Sequence, residues 1–282
     1  MILHYDTAEL APYINWVYFY HAWQVKDGNE QHRLRQEAED FLKALGTRYQ
    51  AHALFLLAEA YSEGDDIVVR GARHEERGTK CEVRETRIPM LRQQQAGSEY
   101  LCMADFIAPK NHHSFQRPLP SNRMGVFATS VDKGMESDFD GDPYQKMMAQ
   151  LLADRLAEAA AERLHEQVRK TFWGYARDEH LAIGELLQEH FQGIRPAVGY
   201  PSLPDTSLNF VLDELMDFSQ IGITLTESGA MRPHASVSGL MISHPDARYF
   251  SVGKIGDDQL QDYASRRGLT VETMKTFLAA NL

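Results

Sequence analysis

The sequence predicts an α+β fold, and three observations carry that prediction. Runs with strand character stand at Gly125 to Val131 and Ala235 to Ser243, without the repeating strand–helix–strand rhythm of a parallel sheet. A long helical pattern fills Pro143 to Lys170, and two further helical stretches, Asp257 to Arg267 and Val271 to Ala279, close the chain. Between them, Gly193 to Asp205 reads G-I-R-P-A-V-G-Y-P-S-L-P-D. Its prolines fix their own φ and push the preceding residues towards extended backbone, which excludes a helix and disfavours a central strand.

A chain of 282 residues can bury a core in one large domain or two small ones. Its formal charge of −11 argues against a general nucleic-acid surface. No apolar run reaches the length of a membrane span, and M-I-L-H-Y-D lacks a signal pattern, so a cytoplasmic protein without membrane contact is expected. Cys81 and Cys102 read as ordinary free thiols.

Taken in order, residues 7 to 23 carry Tyr13, Trp16, Tyr18, Phe19, Tyr20 and Trp23 at helical spacing, which predicts a core-packed helix. His32 to Leu45 reads as an amphipathic helix with Leu34, Ala38, Phe41, Leu42 and Leu45 on one side and Gly46 as its stop. Residues 51 to 71 leave two readings open. The run A-H-A-L-F-L-L-A-E-A-Y is rich in helix formers, yet E-G-D-D before I-V-V resembles a hairpin turn. Lys110 to Asn122 reads as a loop, and its His112 and His113 have no third ligand at metal-binding spacing, so no metal is expected. Asp138 to Asp142 is an acidic turn without the calcium-loop pattern.

In the long helix, Pro143 suits the first turn, and Met147, Leu151, Ala153, Leu156, Ala157, Ala160, Ala161, Leu164 and Val168 supply the apolar surface. Arg155, Glu162, Arg163 and Glu166 are placed on the opposite, charged side. Asp154 and Glu158, four apart, fall beside Met147, Leu151 and Ala161, with His165 in the same stripe. Such carboxylates are either boundary residues reaching outward or members of a site. Further on, Leu208 to Phe218 predicts a short helix, Gly222 to Thr226 and Tyr249 to Val252 predict strands, and Thr270 caps the last helix.

The segment Gly193 to Asp205 is either a stiff connection or a ligand cradle. In the second reading Arg195 grips a carboxylate with its planar fork, Gly199 lets backbone approach the ligand, and free carbonyls face a cation.

The string R-x-x-x-G-Y-P at Arg195, Gly199, Tyr200 and Pro201 resembles the S-adenosylmethionine site of the activation domain of cobalamin-dependent methionine synthase. Leu152 to Lys170, F-W-G-Y (Phe172 to Tyr175), L-T-E-S (Leu225 to Ser228), A-S-V-S-G (Ala235 to Gly239), S-H-P (Ser243 to Pro245) and R-Y-F (Arg248 to Phe250) follow that family's order. L-R-Q-Q (Leu91 to Gln94) and A-D-F-I-A-P (Ala104 to Pro109) are also family-like. Residues 141–282 carry the motifs, and about 1–140 is more divergent.

The resemblance implies one C-shaped domain over 1–282, built on a bent antiparallel sheet with flanking helices, and a strand pair within 51–71. It implies ligand contacts at Arg195, Ala197, Tyr249 and Phe250, with Gly199, Tyr200 and Glu189 beside them. Asp154 and Glu158 match family carboxylates near the ligand and the cobalamin, and are expected to be catalytic, corrinoid-facing residues. Two departures stand out. The family's Y-I-D-W is Y-I-N-W here, so Asn15 offers hydrogen bonds without counter-charge. The family's C-P-D-H-T-E-K is S-L-P-D-T-S-L-N, without the histidine.

No G-x-G-x-G turn links a strand to a helix, which argues against a doubly wound methyltransferase. No cobalamin-carrying D-x-H-x-x-G occurs, since Asp178-Glu179-His180 has one residue too many before Gly184. The expectation is therefore the S-adenosylmethionine-binding activation module of a split cobalamin-dependent methionine synthase. It would support reductive methylation of cob(II)alamin in trans, on a separate corrinoid-binding protein, with a flavodoxin-like reductant. The alternative is a non-catalytic S-adenosylmethionine-responsive regulatory or docking module of a corrinoid methyltransferase complex.

Overall fold

Period-two burial along the long strands decides the architecture. The computed structural model describes residues 1–70, 85–94, 99–110 and 122–282. The strands are β1 (Ile2–Asp6), β2 (Gln50–Glu63), β3 (Asp66–Arg70), β4 (Glu85–Pro89), β5 (Arg123–Val131), β6 (Thr224–Leu225), β7 (Met231–Arg232) and β8 (Ser236–Met241). Six of them form one antiparallel sheet in the order β4-β3-β2-β5-β8, with β1 on the same edge of β2 as β3, while β6 and β7 make a separate ribbon. The ambiguity at 51–71 thus resolves as a hairpin, with Gly64 at φ +61° in its turn. Helix formers in β2 are overridden because the strand is paired along both edges and splits its side chains between two cores.

Ala51, Ala53, Phe55, Phe127 and Val131 face one core. Leu54, Ala58, Ala60, Met124, Val126 and Ala128 face the other. The helices are α1 (Thr7–Leu10), α2 (Trp16–Ala22), α3 (Gly28–Leu45), α4 (Gly134–Ser137), α5 (Pro143–Gln167), α6 (Ile183–Leu187), α7 (Leu208–Met216), α8 (Asp257–Arg267) and α9 (Val271–Phe277). The first face is covered by α5 with α1, α2 and α3, the second by α7, and α8 with α9 builds a third cluster.

Helix α3 begins four residues before the expected start because Asp27 caps it, accepting from the N–H groups of Asn29 and Glu30 at 3.0 and 3.1 Å. Helix α5 is capped by Asp142, which accepts from Tyr144 and Gln145, with Pro143 at its first position. Its small residues Ala149, Ala153, Ala157 and Ala160 let it lie close on the sheet, where the buried Thr129 hydroxyl donates to the Ala157 carbonyl at 2.9 Å. Met147 is 40% exposed, so the stripe bearing Asp154 and Glu158 is the border of the buried face. Beyond Gln167 the helix widens into a π-turn, Val168–Phe172.

Two strand expectations need correction. Gly222 to Thr226 contributes only β6 to a ladder. Tyr249 to Val252 is no sheet strand, because its polar backbone groups bond the proline-rich segment instead. The Val252 N–H donates to the Pro201 carbonyl at 2.9 Å, and the Phe250 N–H donates to the Ser202 hydroxyl at 3.2 Å. Cys81, His112 and His113 lie outside the described residues.

Candidate functional site

The proline-rich segment lies along the free edge of β8. Ile194 and Ile242 exchange backbone hydrogen bonds at 2.9 and 3.0 Å, Leu240 donates to the Pro196 carbonyl, and Val198 donates to the Ser238 carbonyl. Only glycine fits opposite, since a Cβ on Gly239 would stand 2.2 Å from the Pro196 oxygen. The expectation of free carbonyls is therefore corrected. Those of Ile194, Pro196, Ala197, Tyr200, Pro201 and Leu203 all accept backbone bonds from the protein. Gly199, at φ +87°, serves the tight turn closed by its N–H to the Leu203 carbonyl and does not line the cavity. At the far end the buried Asp205 carboxylate accepts from the Ser207 N–H and the Tyr263 hydroxyl, both at 2.8 Å, tying the cradle to α8.

Between this cradle, α2, α5 and the 249–250 segment opens a cavity of about 730 Å³, within the range of small-molecule sites. Asn15, Glu158, Glu189, Arg195, Ala197, Tyr200, Tyr249 and Phe250 line it. Asp154 does not. It sits a turn away on α5, 3.4 Å from the ring of the exposed His234, and burial pushes its carboxyl upward.

Arg195 is the buried cation of the wall. Its backbone N–H donates to the Tyr249 hydroxyl at 2.9 Å, and its guanidinium lies 5.8 Å from the Phe127 ring and pairs through Nη2 with Glu162. Its Nε is buried without an acceptor among the described residues. Burial opposes the charge, but Glu162, Tyr249, Glu189 and Glu158 together hold the guanidinium above its ordinary range.

Glu158 accepts from Arg155 at 2.7 Å and faces the Tyr200 hydroxyl at 3.4 Å. Burial raises its carboxyl, against the pull of Arg155 and Arg195. Glu189, at φ +60°, has no ion pair or hydrogen bond to its side chain among the described residues, and burial and then Glu162 raise it as well. The Asn15 carbonyl oxygen caps α2 by accepting from the Val17 N–H at 3.2 Å, and the residue lines the cavity.

Sequence reasoning missed Glu162, Arg155 and Tyr18 as wall residues. Placing Glu162 and Arg155 on the side away from the site was wrong: Glu158 and Glu162 are four apart, only about 40° around a helix, so both face the cavity. That spacing was the available signal. Behind the wall, Arg169 is fully buried and bonded through Nε and Nη2 to Glu179, which ties Glu179 of the D-E-H triplet to this ion pair. His165, also fully buried, is kept neutral by desolvation and by Arg169 and Arg195. No three His, Cys, Asp or Glu side chains among the described residues are arranged to hold a metal ion.

The family described as "Vitamin B12 dependent methionine synthase, activation domain" matches residues 6–268. The chain belongs to this activation-domain family. The match takes in most of the more divergent first 140 residues as well as the motif-bearing remainder. A crystal structure of the MetH reactivation domain bound to AdoHcy is 37% identical, with a TM-score of 0.89 over 100% of this chain and 90% of that one. The α+β architecture of an antiparallel sheet with flanking helices is thus the fold of the methionine synthase activation domain. No helix among the described residues is long and apolar enough to cross a membrane.

Proposed function

We propose that the cavity binds S-adenosylmethionine and that the domain presents it, in trans, to cobalamin carried by a separate corrinoid-binding protein. The observation that carries this reading is a guanidinium with a nitrogen left unpartnered, set in a wall where Glu158, Glu162 and Glu189 outnumber Arg155 and Arg195. Arg195 suits the ligand's carboxylate, and Glu189 suits its ammonium or sulfonium. Tyr200 and Tyr249 offer ring faces to the sulfonium. The related structure's AdoHcy supports the same class of ligand.

The ligand supplies a methyl group at its sulfonium for reductive methylation of cob(II)alamin, with the electron from a flavodoxin-like reductant. The 282 residues contain no D-x-H-x-x-G, in keeping with a corrinoid bound outside them. Asp154 outside the cavity and Glu158 in its wall, one turn apart, lay carboxylates along the face that meets this partner. There they orient the corrinoid or hold protons near it. The reaction belongs in the cytoplasm, with methionine synthesis.

The test mixes the protein with a cob(II)alamin-loaded corrinoid protein, S-adenosylmethionine and a reducing system. The methylcobalamin absorption spectrum is the expected result, appearing more slowly with Asp154→Asn and Glu158→Gln combined. S-adenosylmethionine binding in calorimetry without any methyl transfer to corrinoid proteins of the same cell would favour a regulatory module.

A further inference from the structure

Glu162 is the one wall carboxylate that touches Arg195 directly, and neither partner is free to wander. The Arg195 side chain is 12% exposed and that of Glu162 17%. The backbone of Arg195 is fixed independently, by the Tyr249 hydroxyl and by the neighbouring bonds of Ile194 and Pro196 to β8. Its guanidinium is therefore oriented from one side, through Nη2, while Nε stays buried without an acceptor among the described residues. Two other carboxylates, Glu158 and Glu189, act on the same cation through space. Glu158 already holds Arg155, whereas Glu189 holds no partner among the described residues.

We propose that Glu162 is a positioning residue for the carboxylate clamp. Its ion pair fixes the guanidinium plane, so that the nitrogen neither taken by Glu162 nor buried with Nε is held for the ligand. Without Glu162, the buried cation would be drawn to Glu189 or Glu158. That shift would turn the clamp away from a ligand carboxylate and also neutralise the wall that receives a ligand cation. This inference rests on reading the cavity as the S-adenosylmethionine site, and it assigns Glu162 no contact with the reacting atoms.

The experiment compares two ligands by calorimetry. S-adenosylhomocysteine carries the carboxylate and the ammonium, and 5′-methylthioadenosine carries neither. Glu162→Ala should weaken S-adenosylhomocysteine about tenfold and leave 5′-methylthioadenosine within about twofold. Glu162→Gln keeps an acceptor of the same reach, so it should recover part of the loss and remains informative if the alanine variant fails to fold. Equal weakening of both ligands in folded variants would mean that Glu162 merely supports the cavity, and the inference fails. It fails alone if the unsubstituted protein binds S-adenosylhomocysteine and neither variant changes that affinity. If the unsubstituted protein binds neither ligand, the reading of the cavity fails and takes this inference with it.

Discussion

Replacing Asn15 by Asp restores the charge that the family's Y-I-D-W would place at this position, and the structure sets the size of the effect. Asn15 lines the cavity while its side-chain oxygen caps α2, at 3.2 Å from the Val17 nitrogen. Asp caps about as well as Asn, and a negative charge at a helix N-terminus is worth about 0.3–1 kcal/mol, so the fold should be unharmed or slightly stabilised. A hydrogen bond from a ligand ammonium to a neutral amide oxygen contributes about 1 kcal/mol, against about 1.5–3 kcal/mol for one to a charged acceptor. The difference, about 0.5–2 kcal/mol, corresponds to roughly twofold to thirtyfold tighter binding. Calorimetry of S-adenosylmethionine at low and high salt reads this gain, which should shrink with salt to the extent that the cavity is open to solvent. An analogue lacking the amino group should gain nothing from the substitution. Equal or weaker binding of S-adenosylmethionine would refute the argument, and would mean that the ammonium lies elsewhere.

Arg195→Ala should lower S-adenosylmethionine affinity by about tenfold to a hundredfold, the loss of a charge-assisted bond in a largely dry wall, and unchanged affinity in a folded variant removes Arg195 from the site. Gly239→Ala would put a methyl group 2.2 Å from the Pro196 oxygen and 2.9 Å from the Ala197 Cα, so the cradle must leave β8. A loss of about 1–3 kcal/mol in denaturant unfolding should result, together with weaker ligand binding, and unaltered values of both would refute that packing argument. Glu158 and Glu189 are both raised by burial, so the folded state takes up protons above the ordinary carboxylate range. As pH rises through their raised pKa values their ionisation costs stability, whereas S-adenosylmethionine, a cation, should bind more tightly over the same window. Affinity that stays flat or falls as pH rises there would show that neither carboxylate faces the ligand's positive groups.

Much of the fold was legible because local signals and burial agreed. Pro143 stands in the first turn of α5, Gly46 and Thr270 mark the expected boundaries, and β5 alternates between two cores, whereas the cap at Asp27 was not foreseen. What was not legible depended on partners distant in the chain. Tyr249 to Val252 has strand-like composition, yet its hydrogen bonds go to Pro201 and Ser202, which periodicity cannot reveal. The cradle looked short of partners because prolines cannot donate, but its carbonyls accept from β8 and from its own turns. At the site, Arg195, Ala197 and Tyr200 of the cradle line the cavity, whereas Gly199 does not. The helical wall was only half seen, because Glu162 was grouped with surface charges although it shares a face with Glu158.

The distribution of charge in the wall bears on which ligand the site prefers. Arg155 pairs with Glu158 and Arg195 with Glu162, so each guanidinium is matched by a carboxylate. Glu189 remains, leaving the wall with a single net negative charge when all these groups are ionised. S-adenosylmethionine carries one net positive charge, and S-adenosylhomocysteine, having lost the sulfonium, carries none. In a partly desolvated cavity that difference acts directly on affinity. The donor should therefore bind more tightly than the demethylated product, and methyl transfer should itself weaken the hold on what is left behind. Glu189→Gln abolishes the excess charge without changing shape, and should narrow the gap between the two ligands chiefly by weakening the donor. An undiminished preference in that variant would place the discrimination in contacts to the methyl group rather than in the charge of the wall.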